Sequence, residues 1–186
     1  EEVGSAVESV KVGDPVIVHP MGGEDLAGAE SGSGRHVYER ALYPGFNRHG
    51  GFAEYMLTEE RMLVQLPSHL SPMDIAPMAD AGLTAYSAVR KAAEHLVPGH
   101  YTLVLGAGGL GHVGIQVLRA FSATEIIVVD KSETALDLAR KVGAHYTFIA
   151  DEQYSGKILA LTGGQGVDVV IDFVGRSSTV ERGFSI

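Results

Sequence analysis

A glycine run in the middle of the chain has the spacing that a dinucleotide pyrophosphate requires. Gly106, Gly108 and Gly111 follow an apolar, strand-like segment and open a helical pattern. In that context the first glycine permits a tight turn, the second lets the backbone approach a pyrophosphate, and the third lets the helix pack closely on the strand. Gly109 and Leu110 add backbone N–H groups at the helix start, where the helix dipole also favours phosphate. These five residues are therefore predicted to bind the diphosphate of a dinucleotide cofactor.

An acidic residue follows at the distance expected for a contact with the adenosine ribose. Asp130 ends the next apolar segment, close to the ~20 residues beyond the glycine run at which a ribose-binding carboxylate is expected. Its charge would repel a 2′-phosphate and so favours NAD over NADP, whereas the cation of Lys131 would tolerate the phosphate. A doubly wound fold that binds another ligand is the alternative, and the strand–glycine–helix context favours the dinucleotide.

Strands and helices must alternate around these residues to bring them to one edge of a sheet. The predicted strands are residues 102–107, 125–130, 146–150 and 167–175. The predicted helices are residues 110–121, 132–143 and 156–164, with a further helix from Ser177. This alternation predicts an α/β fold with a doubly wound parallel sheet of the Rossmann type. The last strand would be an edge strand yet is almost continuously apolar, so we expect the natural chain to continue beyond it.

The first part of the chain has the pattern of a small β-rich domain. Its predicted strands are residues 14–20, 51–58 and 62–67. A Gly- and Ser-rich lobe is predicted at 22–50, and a joining helix at 83–96. The predicted divisions are a partial catalytic domain at 1–75, a joining region at 76–97, and a dinucleotide-binding domain at 98–186 that is incomplete at its C-terminal end.

The composition is that of a globular protein with an acidic balance. The formal net charge is −9 and no cluster of Lys and Arg stands out, which argues against a nucleic-acid partner. The chain has no cysteine, so disulfides and thiolate metal sites are excluded. No apolar run reaches the ~18–20 residues of a membrane-spanning helix and no signal-peptide pattern opens the chain, so we expect no membrane partner and a cytoplasmic location.

Several motifs occur in the order typical of one enzyme family. They are KVGDPVIVHPMGG at 11–23, YPGFNRHGGFAEYM at 43–56, MADAGLTAYSAVRKA at 78–92, VLGAGGLGHVGIQVLRA at 104–120 and LTGGQGVDVVIDFVG at 161–175. Together they resemble the medium-chain, zinc-type alcohol dehydrogenases over nearly the whole chain. The resemblance implies a GroES-like catalytic domain before the Rossmann domain, and reversible hydride transfer between an alcohol and NAD or NADP. It also implies a small alcohol or carbonyl substrate and is compatible with a homo-oligomer.

The resemblance assigns further residues one at a time. Asp80 stands where most members carry a cysteine, and some an aspartate, as the third ligand of a catalytic zinc. It is therefore a candidate zinc ligand, with a helix cap as the alternative. Thr84 matches a threonine near the nicotinamide. Val174 and Gly175 match backbone that lines the cofactor cleft, and Arg176 matches a residue near the adenosine. The other two zinc ligands of the family would precede this chain, and no catalytic acid or base is assigned.

The family's structural zinc has no matching ligands in this sequence. Counting from the Gly-Gly pair, the four cysteine positions are occupied by Glu24, Ala27, Glu30 and Tyr38. Alanine and tyrosine do not replace thiolate ligands, so we expect no structural zinc.

Three functions remain open from the sequence. The leading interpretation is an NAD-dependent alcohol dehydrogenase with a catalytic zinc, although these 186 residues alone are expected to be inactive. The alternatives are a zinc-free oxidoreductase of the quinone or enoyl reductase type that uses NADPH, and an inactive nucleotide-binding fragment.

Overall fold

The computed structural model describes residues 1–22 and 41–186 as two units, residues 1–80 and 81–186. The sequence instead predicts domain boundaries after residues 75 and 97. That division stays a prediction. Most of the predicted lobe at 22–50 lies outside the described residues, and so do the four positions that correspond to the zinc-binding cysteines.

The first unit contains a two-stranded antiparallel sheet and short helical turns. Strand β1 (Val16–Val18) pairs with β2 (Leu63–Gln65), close to two of the predicted strands. Helix α1 (Pro72–Ile75) begins with proline at its first position, which fits because that residue has no N–H to leave unpaired. Turns of 3₁₀ helix lie at Glu60–Met62 and Ala76–Ala79.

The strand predicted at residues 51–58 does not form. This segment pairs with no strand in the part of the chain that the structure describes. The side chains of Phe52 and Leu57 are fully exposed, with relative accessibilities of 113% and 97%. The prediction was wrong because a β-type residue pattern makes a strand only where a neighbouring strand satisfies its backbone N–H and C=O groups.

The second unit is a parallel sheet with helices between its strands. Its strands are β3 (Tyr101–Leu105), β4 (Glu125–Asp130), β5 (Tyr146–Ile149) and β6 (Val169–Asp172). Its helices are α2 (Ala81–Lys91), α3 (Gly111–Phe121), α4 (Glu133–Val142), α5 (Tyr154–Leu161) and α6 (Ser177–Gly183), with a 3₁₀ turn at Ala93–His95. The strands are parallel in the order β5-β4-β3-β6, which confirms the predicted Rossmann-type sheet.

The sheet is buried on both faces, as the apolar strands predicted. Val104 and Val128 pack with helix residues such as Leu118 on one face. Leu103 and Ile127, one residue away along each strand, pack on the other face. Since side chains alternate between the faces of a strand, a continuously apolar strand is stable only in such a sandwich.

The segment after β4 is held by a regular helix start and stop. The Ser132 hydroxyl accepts a hydrogen bond from the Ala135 backbone N–H at 3.4 Å, which caps the N-terminus of α4. Gly143 ends the helix with a φ of 119°, in the left-handed region that glycine adopts readily. The start of α4 is thereby fixed beside the end of β4, where Asp130 lies.

Within residues 1–22 and 41–186, no helix has the length and apolar character to cross a membrane.

Candidate functional site

A glycine turn leads the chain from β3 into α3. Gly106 has a φ of 89°, a conformation that residues with a Cβ rarely adopt. Its N–H donates to the carbonyl of Val129 in the neighbouring strand at 2.8 Å. The turn is therefore held directly against the end of β4.

The glycines of this turn have different surroundings. A Cβ on Gly111, the first residue of α3, would overlap the carbonyl oxygen of Gly106. A Cβ on Gly108 or Gly109 would meet no heavy atom within 4 Å. The helix can therefore start this close to the strand only with glycine at its first position, whereas space for a ligand remains beside the middle of the turn.

Helix α3 (Gly111–Phe121) also makes close contacts that the sequence does not predict. A Cβ on Gly114 would lie 2.7 Å from the Cε2 atom of Phe173, so the helix passes the Phe173 ring without room for a side chain. Leu110 precedes the helix, and His112 folds back so that its Nδ1 donates to the Gly108 carbonyl at 2.8 Å. The sequence shows Gly114 three residues after Gly111. It does not show the contact with Phe173, because the two residues are far apart in the chain.

Asp130 joins the glycine turn to the start of α4. Its Oδ2 accepts a hydrogen bond from the Ala107 backbone N–H and its Oδ1 accepts one from the Ser132 backbone N–H, each at 2.8 Å. The side chain is partly buried. Each carboxylate oxygen can accept a further bond, so the acid can also receive ribose hydroxyls. The acid thus lies beside the turn, as a shared nucleotide site requires.

A cleft of about 380 Å³ opens at this edge of the sheet. It brings together five of the sequence-predicted residues: Gly106, Asp130, Lys131, Val174 and Arg176. Gly175 adjoins this group and has a φ of 69°, which turns the chain between its two neighbours. The other lining residues were not predicted: Leu105, Val129, Ala150, Tyr154, Ser178, Thr179 and Arg182. These residues lie at or beyond the carboxyl ends of the strands, which is where ligands bind in open parallel sheets.

Arg182, one of the lining residues that the sequence did not predict, is held in place by two contacts. The Arg182 guanidinium lies over the Tyr154 ring, 5.2 Å from its centroid, and donates to the Asp151 carbonyl at 2.9 Å. With Lys131 and Arg176, it gives the cleft three cations beside the single carboxylate of Asp130. The cleft therefore suits a ligand that carries both hydroxyl donors and negative charge.

Besides Gly175, six predicted residues are not among those that line this cleft: Gly108, Gly109, Leu110 and Gly111 of the glycine turn, and Thr84 and Asp80. Thr84 lies on α2 with an exposed side chain. Asp80 belongs to the first unit and follows the turn Ala76–Ala79, where its backbone N–H donates to the Pro77 carbonyl.

A zinc site is not assembled by the residues that the structure describes. Among them, no three His, Cys, Asp or Glu side chains come together as metal ligands. A catalytic zinc usually has three protein ligands. Asp80 by itself therefore does not make a catalytic zinc site.

Comparisons with known proteins match both units. Residues 1–68 match the family described as alcohol dehydrogenase GroES-like domain, and residues 109–186 match the family described as zinc-binding dehydrogenase. A NAD-dependent alcohol dehydrogenase of Sulfurisphaera tokodaii is 37% identical over 97% of this chain and 52% of its own length. A D-arabinose 1-dehydrogenase (NADP(+)) of Saccharolobus solfataricus is 36% identical over 96% of this chain and 53% of its own.

A solved structure has the same fold. The alcohol dehydrogenase of Aeropyrum pernix superposes with a TM-score of 0.86 and is 41% identical, over 97% of this chain and 53% of that one. The chain thus spans about half the length of the relatives it matches. With the fold, the glycine turn and both family matches in agreement, the chain belongs to the medium-chain, zinc-type alcohol dehydrogenase family.

Proposed function

We propose that the protein is an NAD-dependent alcohol dehydrogenase, and that the cleft beside Asp130 binds the adenosine end of NAD. The observation that carries this proposal is the Asp130 carboxylate, which is bonded to the glycine turn on one side and to the start of α4 on the other. The acid proposed to accept the ribose hydroxyls is thereby fixed beside the turn proposed to bind the diphosphate.

The residues of the second unit would bind and orient the cofactor. Backbone N–H groups at the start of α3 would donate to the diphosphate, and Asp130 would accept the ribose hydroxyls. Thr84, on α2, is proposed to contact the nicotinamide on the family pattern alone. When bound, NAD supplies the acceptor for the hydride that leaves the alcohol carbon as the alcohol becomes a carbonyl compound.

The cofactor proposal is tested by titrating the full chain with NAD and with NADP. We expect Asp130→Asn to raise the Kd for NAD roughly tenfold to hundredfold, because a hydrogen bond to a charged acceptor contributes about 1.5–3 kcal/mol. The same change should improve NADP relative to NAD, since it removes the charge that faces a 2′-phosphate.

The control is Asp137→Asn. Asp137 is an exposed acid of α4 that pairs with Arg140 at 2.6 Å. Its loss should leave both titrations unchanged. Unaltered NAD affinity and unaltered cofactor preference in Asp130→Asn would refute the proposed site.

NADPH-dependent chemistry of the zinc-free reductase type is the second candidate function. The observation that favours it is the group of cations Lys131, Arg176 and Arg182 in the cleft, which suits a 2′-phosphate. A relative named for NADP(+), the D-arabinose 1-dehydrogenase, shares 36% identity with this chain. Tighter binding of NADP than of NAD by the unaltered protein would support this candidate over the first.

The metal and substrate proposals follow from the family. We propose that the whole protein holds a catalytic zinc with Asp80 as one ligand, and that it oxidises a primary or secondary alcohol. Metal analysis of the full-length protein, with NADH formation on a panel of alcohols, tests both. Retained zinc in Asp80→Ala would argue against the ligand, and no turnover of any alcohol would argue against the activity. The predicted homo-oligomer and cytoplasmic location stay predictions.

A further inference from the structure

Asp172, the last residue of β6, has a carboxylate that faces the chain segment immediately after it. Its Oδ1 accepts hydrogen bonds from the backbone N–H groups of Val174 at 2.7 Å and Gly175 at 3.1 Å. Its Oδ2 accepts one from the Thr179 hydroxyl at 2.6 Å. One side chain therefore ties the residues 173–176, which we call the 173–176 loop, to helix α6.

The Thr179 hydroxyl links the far end of the same loop. It lies 3.1 Å from the Arg176 backbone nitrogen and 2.8 Å from the Arg176 carbonyl oxygen. A hydroxyl has one hydrogen, and the charged Asp172 oxygen at 2.6 Å is its stronger and nearer acceptor. The hydroxyl therefore donates to Asp172 and accepts from the Arg176 N–H, which makes a continuous chain of hydrogen bonds.

The 173–176 loop forms a wall of the cleft and lies directly beside the glycine turn. Val174 and Arg176 both line the cleft. A Cβ on Gly106 would lie 2.8 Å from the Cγ2 atom of Val174, so the loop and the turn fit without spare space. A small displacement of the loop would therefore move the Val174 side chain into or away from the turn.

The hydrogen bonds also set the direction of two backbone carbonyls. All peptide bonds among the described residues are trans, and the N–H and C=O of a trans peptide point in opposite directions. Because the N–H groups of Val174 and Gly175 face Asp172, the carbonyls of Phe173 and Val174 face away from it. Loss of the carboxylate would free both peptide planes to rotate.

We propose that Asp172 and Thr179 act as one positioning unit that holds the 173–176 loop in the shape that binds the cofactor. Neither is a catalytic residue in this role. The inference rests on the proposed NAD function of the cleft.

The test compares variants of the full chain by amide hydrogen exchange without ligand and by titration with NAD. Asp172→Asn and Thr179→Val should each lower the protection of the Val174 and Gly175 amides about tenfold, and raise the Kd for NAD about tenfold, as expected when a charge-assisted hydrogen bond is lost. Thr179→Ser keeps the hydroxyl, so its amide protection and its Kd for NAD should match those of the unaltered protein. The double variant Asp172→Asn with Thr179→Val should bind no more weakly than the weaker single variant, because the two residues act together.

The control is Ser185→Ala, which removes an exposed hydroxyl that donates to the Arg182 carbonyl at 2.8 Å, beyond the end of α6. It should leave exchange in the loop and NAD affinity unchanged. Additive losses in the double variant would overturn the proposal, since Thr179 would then act on the ligand by itself. Unchanged exchange in Asp172→Asn would overturn the loop-holding role. If the unaltered protein fails to bind NAD, the proposed function fails, whereas exchange still reports on the hydrogen-bonded loop.

Discussion

Replacing Gly111 with alanine would place a methyl group on the carbonyl oxygen of Gly106. The overlap is with backbone of the turn between β3 and α3, which cannot rotate away as a flexible side chain could. Overpacking of this kind costs about 1–3 kcal/mol. The gain in helix propensity from glycine to alanine is at most ~1 kcal/mol and is smaller at a helix end. Because backbone must move, the cost lies at the upper end of that range, and subtracting a gain of at most ~1 kcal/mol leaves an expected loss of roughly 2–3 kcal/mol in the free energy of unfolding of Gly111→Ala.

Gly108→Ala should instead stabilise the fold slightly and weaken NAD binding. A Cβ there meets no heavy atom within 4 Å, and Gly108 is not among the glycines with positive φ. Alanine at a compatible position stabilises by about 0.4–1 kcal/mol, because it restricts the unfolded chain. The added methyl would, however, occupy the open space beside the turn in which the diphosphate is proposed to bind. We expect the Kd for NAD to rise about tenfold, which corresponds to ~1.4 kcal/mol.

Urea unfolding and NAD titration of the two variants measure these effects separately. Gly156→Ala is the matched control, because Gly156 is exposed on α5, a Cβ there would meet no heavy atom within 4 Å, and the residue belongs neither to the glycine turn nor to the cleft lining. It should stabilise the protein slightly and leave NAD binding unchanged. The reasoning is refuted if Gly111→Ala is as stable as the unaltered protein. It is also refuted if Gly108→Ala binds NAD as tightly as the unaltered protein does.

Three further predictions concern stability and titration. The Ser9 hydroxyl, together with backbone N–H groups of Ser9 and Glu8, holds the pKa of Glu60 below its ordinary value. This contribution to stability is present above the ordinary pKa and is lost as the pH falls through the lowered one, so Glu60→Gln should flatten the acid side of a stability–pH curve. The Lys157 ammonium, 2.7 Å from Asp151, lowers the pKa of that acid, and Lys157→Gln should raise it in an NMR titration. Leu118→Ala in the fully buried core should cost about 2–5 kcal/mol in urea unfolding, and a loss below ~1 kcal/mol would contradict its assigned packing.

Much of the second unit could be predicted because its determinants are local. The apolar run of β3 requires burial on both faces, and Ser132 and Gly143 mark the ends of α4 by the capping chemistry of their own residues. The glycine spacing is local in the same sense, since a tight turn and a close helix start involve only residues near one another in the chain.

The contacts that complete the site could not be predicted because they join distant segments. Phe173 against Gly114 and Arg182 over Tyr154 each depend on how two elements pack. The segment 51–58 gives the converse case, because its pattern resembles a strand and yet no neighbouring strand pairs with it among the described residues.

From its residues alone, this chain specified a Rossmann-type unit with a glycine turn between its first strand and helix and an acid at the end of the next strand, and their binding of a diphosphate and a ribose stays a prediction. Only the tertiary structure decided that this acid is hydrogen-bonded to the turn, that Asp172 accepts hydrogen bonds from the 173–176 loop, and that three cations line the same cleft as the acid. The physical reason is that periodicity and caps act within one element. A cleft forms where the ends of several strands meet, and its charges and hydrogen bonds exist only once the sheet has brought those ends together.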